Sequence, residues 1–538
     1  MPNELPGVSS HQAALDAESL HLDNDLRQPY HVPVKYLEGT RDDLPEASHS
    51  AAREIKELPP HPTLVFINPK SGGQMGTALL KLFGEVVGVV QVYQLPKQRP
   101  DKVLKKIWQN LDAAVREGDE KAWHIQNNLR VVAAGGDGTY SWLLQAISEI
   151  GIQPQPPASV IPLGTGNGMS VNLGWGHKAS SQWVKSRKSM ADMIKGVSTA
   201  TIRDMDLWSI TLTSGLPDQH QQNALQSPHP SQQNGKDDGS KRRRDIPLRD
   251  QAPFIDSELP AAMHAQNDST MQGSHRAGKF TYYFTVGLDA EAAYRFNDVR
   301  NQKPYLAKYR WQNIGWYFYE AMATGWLWGA KPLARKIASV RVRRSQEEDW
   351  QELAIPKAVR AIVMINLQTY MGGQDLWGLH EHNTPEEDDK KLVKPIFDDG
   401  LLEIVGLKGG LHTSVALSNV SPHVHGVRLG QASEVEVRFE MQTPGKKGLT
   451  HMRLDGEPWA QPFPAKGAAE GPLRVHVKLA GRSRVLINTH NLPGVNAKAL
   501  ELSNREQKES KPEQGDSASS SSSDAEKAAA AVMAGHHQ

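Results

Sequence analysis

Three times between Leu64 and Gly168 the chain repeats one pattern: a short apolar run, then a polar loop built on glycine. The first copy is Leu64 to Ile67 followed by Asn68, Pro69, Lys70, Ser71, Gly72 and Gly73, with Leu79, Leu80 and Phe83 then recurring at helical spacing. The second is Val131 to Ala134 followed by Gly135, Gly136, Asp137, Gly138 and Thr139, after which Trp142, Leu143, Ala146, Ile147 and Ile150 mark one face of a helix. The third is Val160 to Leu163 followed by Gly164, Thr165, Gly166, Asn167 and Gly168. Continuous apolar runs are the pattern of strands buried on both faces, and 3.6-residue periodicity is that of helices packed on a sheet. The repeat predicts a doubly wound parallel sheet, whose ligand loops gather at the carboxyl ends of its strands. Thr139 stands where the sequence places a helix N-cap.

Such loops suit phosphate. Glycine lets backbone N–H groups approach a ligand, and a helix N-terminus adds partial positive charge. Asp137 would repel a phosphate unless a cation lay between them, and Mg²⁺, which takes oxygen ligands and accompanies nucleotide phosphates, resolves that conflict. There is no true Walker A motif. The stretch GSHRAGKF, from Gly273, has the glycine–lysine spacing but places Phe280 where Ser or Thr should hold Mg²⁺.

Charge and composition narrow the alternatives. With 61 basic and 60 acidic residues the net charge is +1, so no global field points to nucleic acid. The absence of cysteine excludes disulfides, thiolate zinc modules and a cysteine nucleophile. The N-terminus lacks a signal-peptide pattern, and no run of about twenty apolar residues offers a transmembrane segment. Composition divides the chain into a disordered arm (1–60), the glycine-loop domain (61–213), a disordered polar insertion (214–278), a β-rich, sandwich-like domain (279–490) and a disordered tail (491–538). The insertion carries the basic run Lys241 to Arg244, a solvated charge cluster, an anionic-lipid contact or a nuclear address. Inside the β-rich region, Asn313 to Lys331 is rich in Trp and Tyr, which suits either a core helix or a lipid-facing groove.

Two acidic turns stand out there: Asp398-Asp399-Gly400, and Asp455-Gly456 followed by Glu457. Locally each is compatible with a simple hairpin, for which Asp-Gly is a favoured pair.

The segments VFINPKSGG, AAGGDGTYSW, IPLGTGN, YYFTVGLDAEAAYRF, RNQKPYLAK, GGQDLWG, DDGLLEIVGLKGG and LDGEPWAQP occur in the order seen in eukaryotic diacylglycerol kinases. The chain resembles the short plant-type members that lack cysteine-rich zinc modules. That resemblance implies a catalytic, ATP-binding α/β domain, a β-rich accessory domain, and phosphorylation of the diacylglycerol hydroxyl to phosphatidic acid in the cleft between them. It places ATP on Asn68, Ser71, Gly72, Gly73, Gly135, Gly136, Asp137, Gly138, Thr139, Gly164, Thr165, Gly166 and Asn167. It makes Asp137 the nucleotide-metal carboxylate, Asp455 and Glu457 the pair that positions and deprotonates the acceptor, and Asp398 and Asp399 a turn beside a structural Mg²⁺. It further implies a cytoplasmic enzyme that meets diacylglycerol by peripheral contact with membranes. One departure is Gly168, where the family's third loop commonly ends in Asp. The alternatives are a catalytically impaired lipid-binding scaffold and a sphingoid-base or ceramide kinase.

Overall fold

The computed structural model describes residues 28–41, 58–71, 75–164, 166–214, 263–265, 274–302, 332–370, 374–378, 392–409, 425–441, 448–464 and 471–492, with 497 and 501. The first half runs β1 (Thr63–Ile67), α1 (Met75–Val87), β2 (Val92–Gln94), α2 (Pro100–Arg116), α3 (Glu120–Asn128), β3 (Arg130–Gly135), α4 (Asp137–Ile150), β4 (Ala158–Pro162), α5 (Gly168–Asn172) and α6 (Arg187–Thr199). Its four strands are parallel in the order β2-β1-β3-β4. From β1 the chain winds outward to β2 and then returns past β1 to lay down β3 and β4. The loops after β1 and β3 therefore leave the sheet side by side, at the point where the winding reverses.

Alternate residues of each strand serve opposite faces. Val65, Ile67, Val132, Ala134 and Ile161 pack with Leu79 and Phe83 of α1 and Met190 and Ile194 of α6. Leu64, Phe66, Val131, Ala133 and Val160 share the other core with Leu104, Ile107, Ile125, Leu143 and Ile147 of α2, α3 and α4. Helices on both faces explain why these strands read as unbroken apolar runs.

The second half contains β5 (Thr201–Ser214), β6 (Met263–Ala265), β7 (Ser274–Phe280), β8 (Tyr283–Gly287), α7 (Leu288–Gln302), β9 (Ile337–Arg343), β10 (Gln351–Glu352), β11 (Ala361–Ile365), β12 (Leu402–Leu407), β13 (Val427–Ala432), β14 (Glu434–Phe439), β15 (Gly448–Leu454), β16 (Glu457–Phe463) and β17 (Leu473–Ile487). A 6-stranded antiparallel sheet runs β13-β12-β11-β8-β15-β16. It faces the sheet formed by β5, β14 and β17 across a core of Trp208, Ile210, Val435, Val475, Phe284, Ile362, Met364 and Trp459. This is the sandwich expected from the alternating strands.

The two halves are joined by shared backbone. Strand β17 pairs antiparallel with β5 from Leu473↔Ser214 to Ile487↔Thr201, and its Val485 pairs in parallel with Ala158 of β4. The glycine-loop sheet and one layer of the sandwich are thus a single 11-stranded sheet among the described residues.

Three local expectations are corrected. Residues 28–41, placed in the disordered arm, fold as a strap that buries Val32, Tyr36 and Leu37 in the core. Gln91 holds it: its side chain accepts from Val32 N (2.9 Å) and donates to Tyr30 O (2.8 Å) and Thr63 O (2.7 Å). Residues 263–265 and 274–278, placed in the insertion, are strands β6 and the start of β7, so the Walker-like GSHRAGKF is almost entirely an edge-pairing strand. Helix α4 begins at Asp137, and its N-cap is Gly136, three residues before Thr139, in extended backbone. The Lys241–Arg244 run and the aromatic segment from Asn313 lie outside the described residues.

Candidate active site

Close backbone contact brings the glycine loops together. A Cβ on Gly164 would lie 2.6 Å from Gly136 Cα, so the second and third loops touch only because both positions are glycine. Asn167 sits in the left-handed region at φ 53, and its amide fastens the third loop by donating to Gly164 O (2.8 Å) and His177 O (2.7 Å). On the first loop, Asn68 N donates to Ala134 O, and Asn68 Oδ1 receives Lys70 N at 3.1 Å. Ser71 N closes the turn onto Asn68 O. Gly72, Gly73 and Thr165 lie outside the described residues.

Asp137, the first residue of α4, lies across from the start of α5. Its Oδ2 accepts from Gly168 N (3.0 Å) and its Oδ1 from Met169 N (2.9 Å). Desolvation in this recess raises its pKa to about 6, against the pull of those two N–H groups. Each oxygen retains a lone pair.

Asp455 and Glu457 arrive on a hairpin. Asp455 and Gly456 form the two-residue turn between β15 and β16, with φ of 44° and 98°. Positive φ at both positions is what the tightest hairpins require, and Asp-Gly meets it. The turn is also a clamp. Asp455 Oδ1 accepts from Tyr282 N (3.0 Å) and Tyr283 N (2.9 Å), while Oδ2 accepts from Thr281 N (3.1 Å) and Ser141 Oγ (2.5 Å). Burial raises its pKa despite these donors. Glu457 reaches over the first turn of α4: a Cβ on Gly138 would lie 2.8 Å from Glu457 Oε1. Asp137 and the distant pair Asp455 and Glu457 thus meet around the N-terminus of α4.

Asp398 and Asp399 gather elsewhere, around Asp206 of β5. Asp206 accepts from Gly400 N (2.6 Å) and Arg482 Nε (3.1 Å), and Arg482 Nη2 donates to Asp398 O (2.6 Å). Asp399 Oδ1 caps its own turn through Leu401 N at 2.9 Å. Burial and the neighbouring Asp399 hold Glu403 well above the usual carboxylate range. A guanidinium already provides the positive charge here, and no group of three or more candidate metal ligands occurs among the described residues.

Sequence reading missed Ser141 and Tyr282. Ser141 follows Asp137 by four residues and so shares its helix face, a signal that was present in the sequence. Tyr282 lies inside a longer motif, and its contact with Gly168 (a Cβ there would lie 2.3 Å from Tyr282 Cε1) carries no local signal.

Comparison with known proteins agrees with this architecture. Residues 62–198 match the diacylglycerol kinase catalytic domain, and residues 279–458 match the diacylglycerol kinase accessory domain. The chain is 35% identical to diacylglycerol kinase 1 of Oryza sativa subsp. japonica over 422 residues, covering 76% of this chain and 77% of that protein. It is 31% identical to diacylglycerol kinase 5 of Arabidopsis thaliana over 452 residues, covering 82% and 80%. With both domain models matched in order and relatives aligned over most of their length, the chain belongs to the diacylglycerol kinase family.

Proposed function

We propose that the chain transfers the γ-phosphoryl group of ATP to the free hydroxyl of 1,2-diacylglycerol, giving phosphatidic acid and ADP, where Glu457 overhangs the first turn of α4. The observation that carries this reading is the meeting of a glycine-loop phosphate site with two carboxylates delivered by a separate sheet. Phosphoryl transfer needs in-line placement and charge stabilisation more than covalent help, and that arrangement supplies both.

The glycine loops and the N-terminus of α4 receive the phosphates. A Mg²⁺ ion brought with the nucleotide fits Asp137, because Mg²⁺ is commonly held by one or two carboxylates plus phosphate oxygens and water; bound there, it draws negative charge off the phosphates. The acidic pair divides its work. Asp455 has four donors on its two oxygens, so it is a positioning residue that fixes the hairpin against α4 and β8. Glu457, partly exposed beside Gly138, is the carboxylate we assign to the acceptor hydroxyl, whose proton it takes as the new O–P bond forms. The acceptor is met at the surface of a cytoplasmic membrane by peripheral contact; no helix among the described residues is long and apolar enough to cross one.

The test is purified full-length protein with γ-labelled ATP and mixed micelles of diacylglycerol, sphingosine or ceramide. Label in phosphatidic acid is expected. Label only in a sphingoid product, or in no lipid while ATP still binds, overturns the reading.

A further inference from the structure

Tyr282 is a buried polar side chain at this site to which the reaction above gives no task. It is 1% exposed, and its hydroxyl has no hydrogen-bond partner among the described residues. Its position is tightly defined. A Cβ on Gly168 would lie 2.3 Å from Tyr282 Cε1, 2.4 Å from its hydroxyl oxygen and 2.6 Å from Cζ, so the phenol fills the space that any side chain at 168 would need. Gly168 N donates to Asp137, and Tyr282 N donates to Asp455. The hydroxyl therefore stands beside the contact that orients Asp137, on a residue anchored to Asp455.

Packing explains the ring and leaves the hydroxyl unexplained, since phenylalanine would fill the same volume without burying an unpartnered donor. The phenol carries its proton at neutral pH, so it can donate but cannot act as a base. A donor that cannot act as a base matches an anionic oxygen; an acceptor hydroxyl would instead need a group to take its proton.

We propose that the Tyr282 hydroxyl donates a hydrogen bond to an oxygen of the phosphoryl group in transit, beside Asp137. The proposal rests on the phosphoryl-transfer reading above, though not on the identity of the lipid. Tyrosine makes and breaks no bond in the step.

The test is Tyr282→Phe in the full-length chain, read in three ways. With Mg²⁺, ADP and aluminium fluoride, a mimic of the transferring group, the variant should bind roughly 10-fold or more weakly than wild type, while ADP alone binds equally. In the diacylglycerol assay kcat should fall roughly 10- to 100-fold, with KM for ATP and lipid little changed. Thermal stability should hold or rise, because a buried unpartnered hydroxyl has been removed. Equal affinity for the fluoride complex together with equal kcat would overturn the proposal and make the hydroxyl a packing by-product. If wild type phosphorylates no lipid but the fluoride affinities separate, the acceptor assignment fails and the role of Tyr282 stands; if they do not separate, the role of Tyr282 falls as well.

Discussion

Ser141 Oγ and Asp455 Oδ2 share a 2.5 Å hydrogen bond between residues 314 positions apart, and it ties the catalytic helix α4 to the hairpin of the accessory sheet. Hairpin geometry alone would accept asparagine at 455, since Asn also tolerates positive φ. The structure does not, because both carboxylate oxygens receive backbone N–H groups and an amide NH₂ would face one of them. Asp455→Asn should therefore lower stability by about 1–3 kcal/mol and turnover together. Ser141→Ala should do the same more mildly. Urea unfolding beside phosphatidic acid formation checks this; an Asp455→Asn protein as stable as wild type would contradict the clamp.

Restoring an aspartate at position 168 should cost stability and activity, because the Tyr282 ring stands 2.3 Å from where its Cβ must go. Removing the obstacle in Gly168→Asp/Tyr282→Ala should cost less than the sum of the two single changes, a coupling of about 1 kcal/mol or more for residues in contact. Strict additivity in thermal unfolding would show that the pair does not touch.

The N-terminal strap carries a pH dependence of its own. Asp119 caps α3 through Lys121 N and Ala122 N, while its other oxygen receives Lys35 Nζ and Tyr36 Oη, each at 2.7 Å. Burial pushes its pKa up, but the Lys35, Tyr36 and Ala122 donors outweigh it and bring the value to about 2, below the ordinary 3.8. A carboxylate depressed in the folded state contributes stability that is present above about pH 4 and is lost as pH falls towards 2. Asp119→Ala should lose about 1 kcal/mol of capping at neutral pH. Its urea midpoint should also fall less steeply than that of wild type between pH 4 and 2. Parallel curves would mean the strap contacts do not form in solution.

Asp137→Asn should leave the fold largely in place, since an amide oxygen can still accept one of the two N–H groups from Gly168 and Met169. Phosphoryl transfer should fall by roughly two or more orders of magnitude as the metal's carboxylate is lost. Turnover near wild type at saturating Mg²⁺ and ATP would remove Asp137 from the metal's shell.

Where neighbours in sequence are also neighbours in space, the chain was readable. The runs Leu64–Ile67 and Val131–Ala134 announced parallel strands, and the glycines after them announced the loops, because a buried strand and a tight turn are local events. The strap was not readable: Val32, Tyr36 and Leu37 are buried against partners such as Tyr93 and Leu104 that no short window contains. The union of β17 with β4 and β5 is equally non-local, which is why composition divided a sheet that is continuous. Within the site, carboxylates could be found by type, but not their division of labour. Asp455 and Glu457 stand two residues apart on one turn, and only their surroundings separate a four-donor clamp from a carboxylate facing Gly138.

That separation is most directly tested by Glu457→Gln, assayed for phosphatidic acid from ATP and diacylglycerol beside nucleotide titration and thermal unfolding. The amide keeps the shape over Gly138 but cannot take the acceptor's proton. Wild type should make phosphatidic acid, and the variant should bind ATP and unfold as wild type does while losing roughly two or more orders of magnitude in kcat. A Glu457→Gln enzyme that turns over as fast as wild type, or a wild type that phosphorylates no lipid, would contradict it.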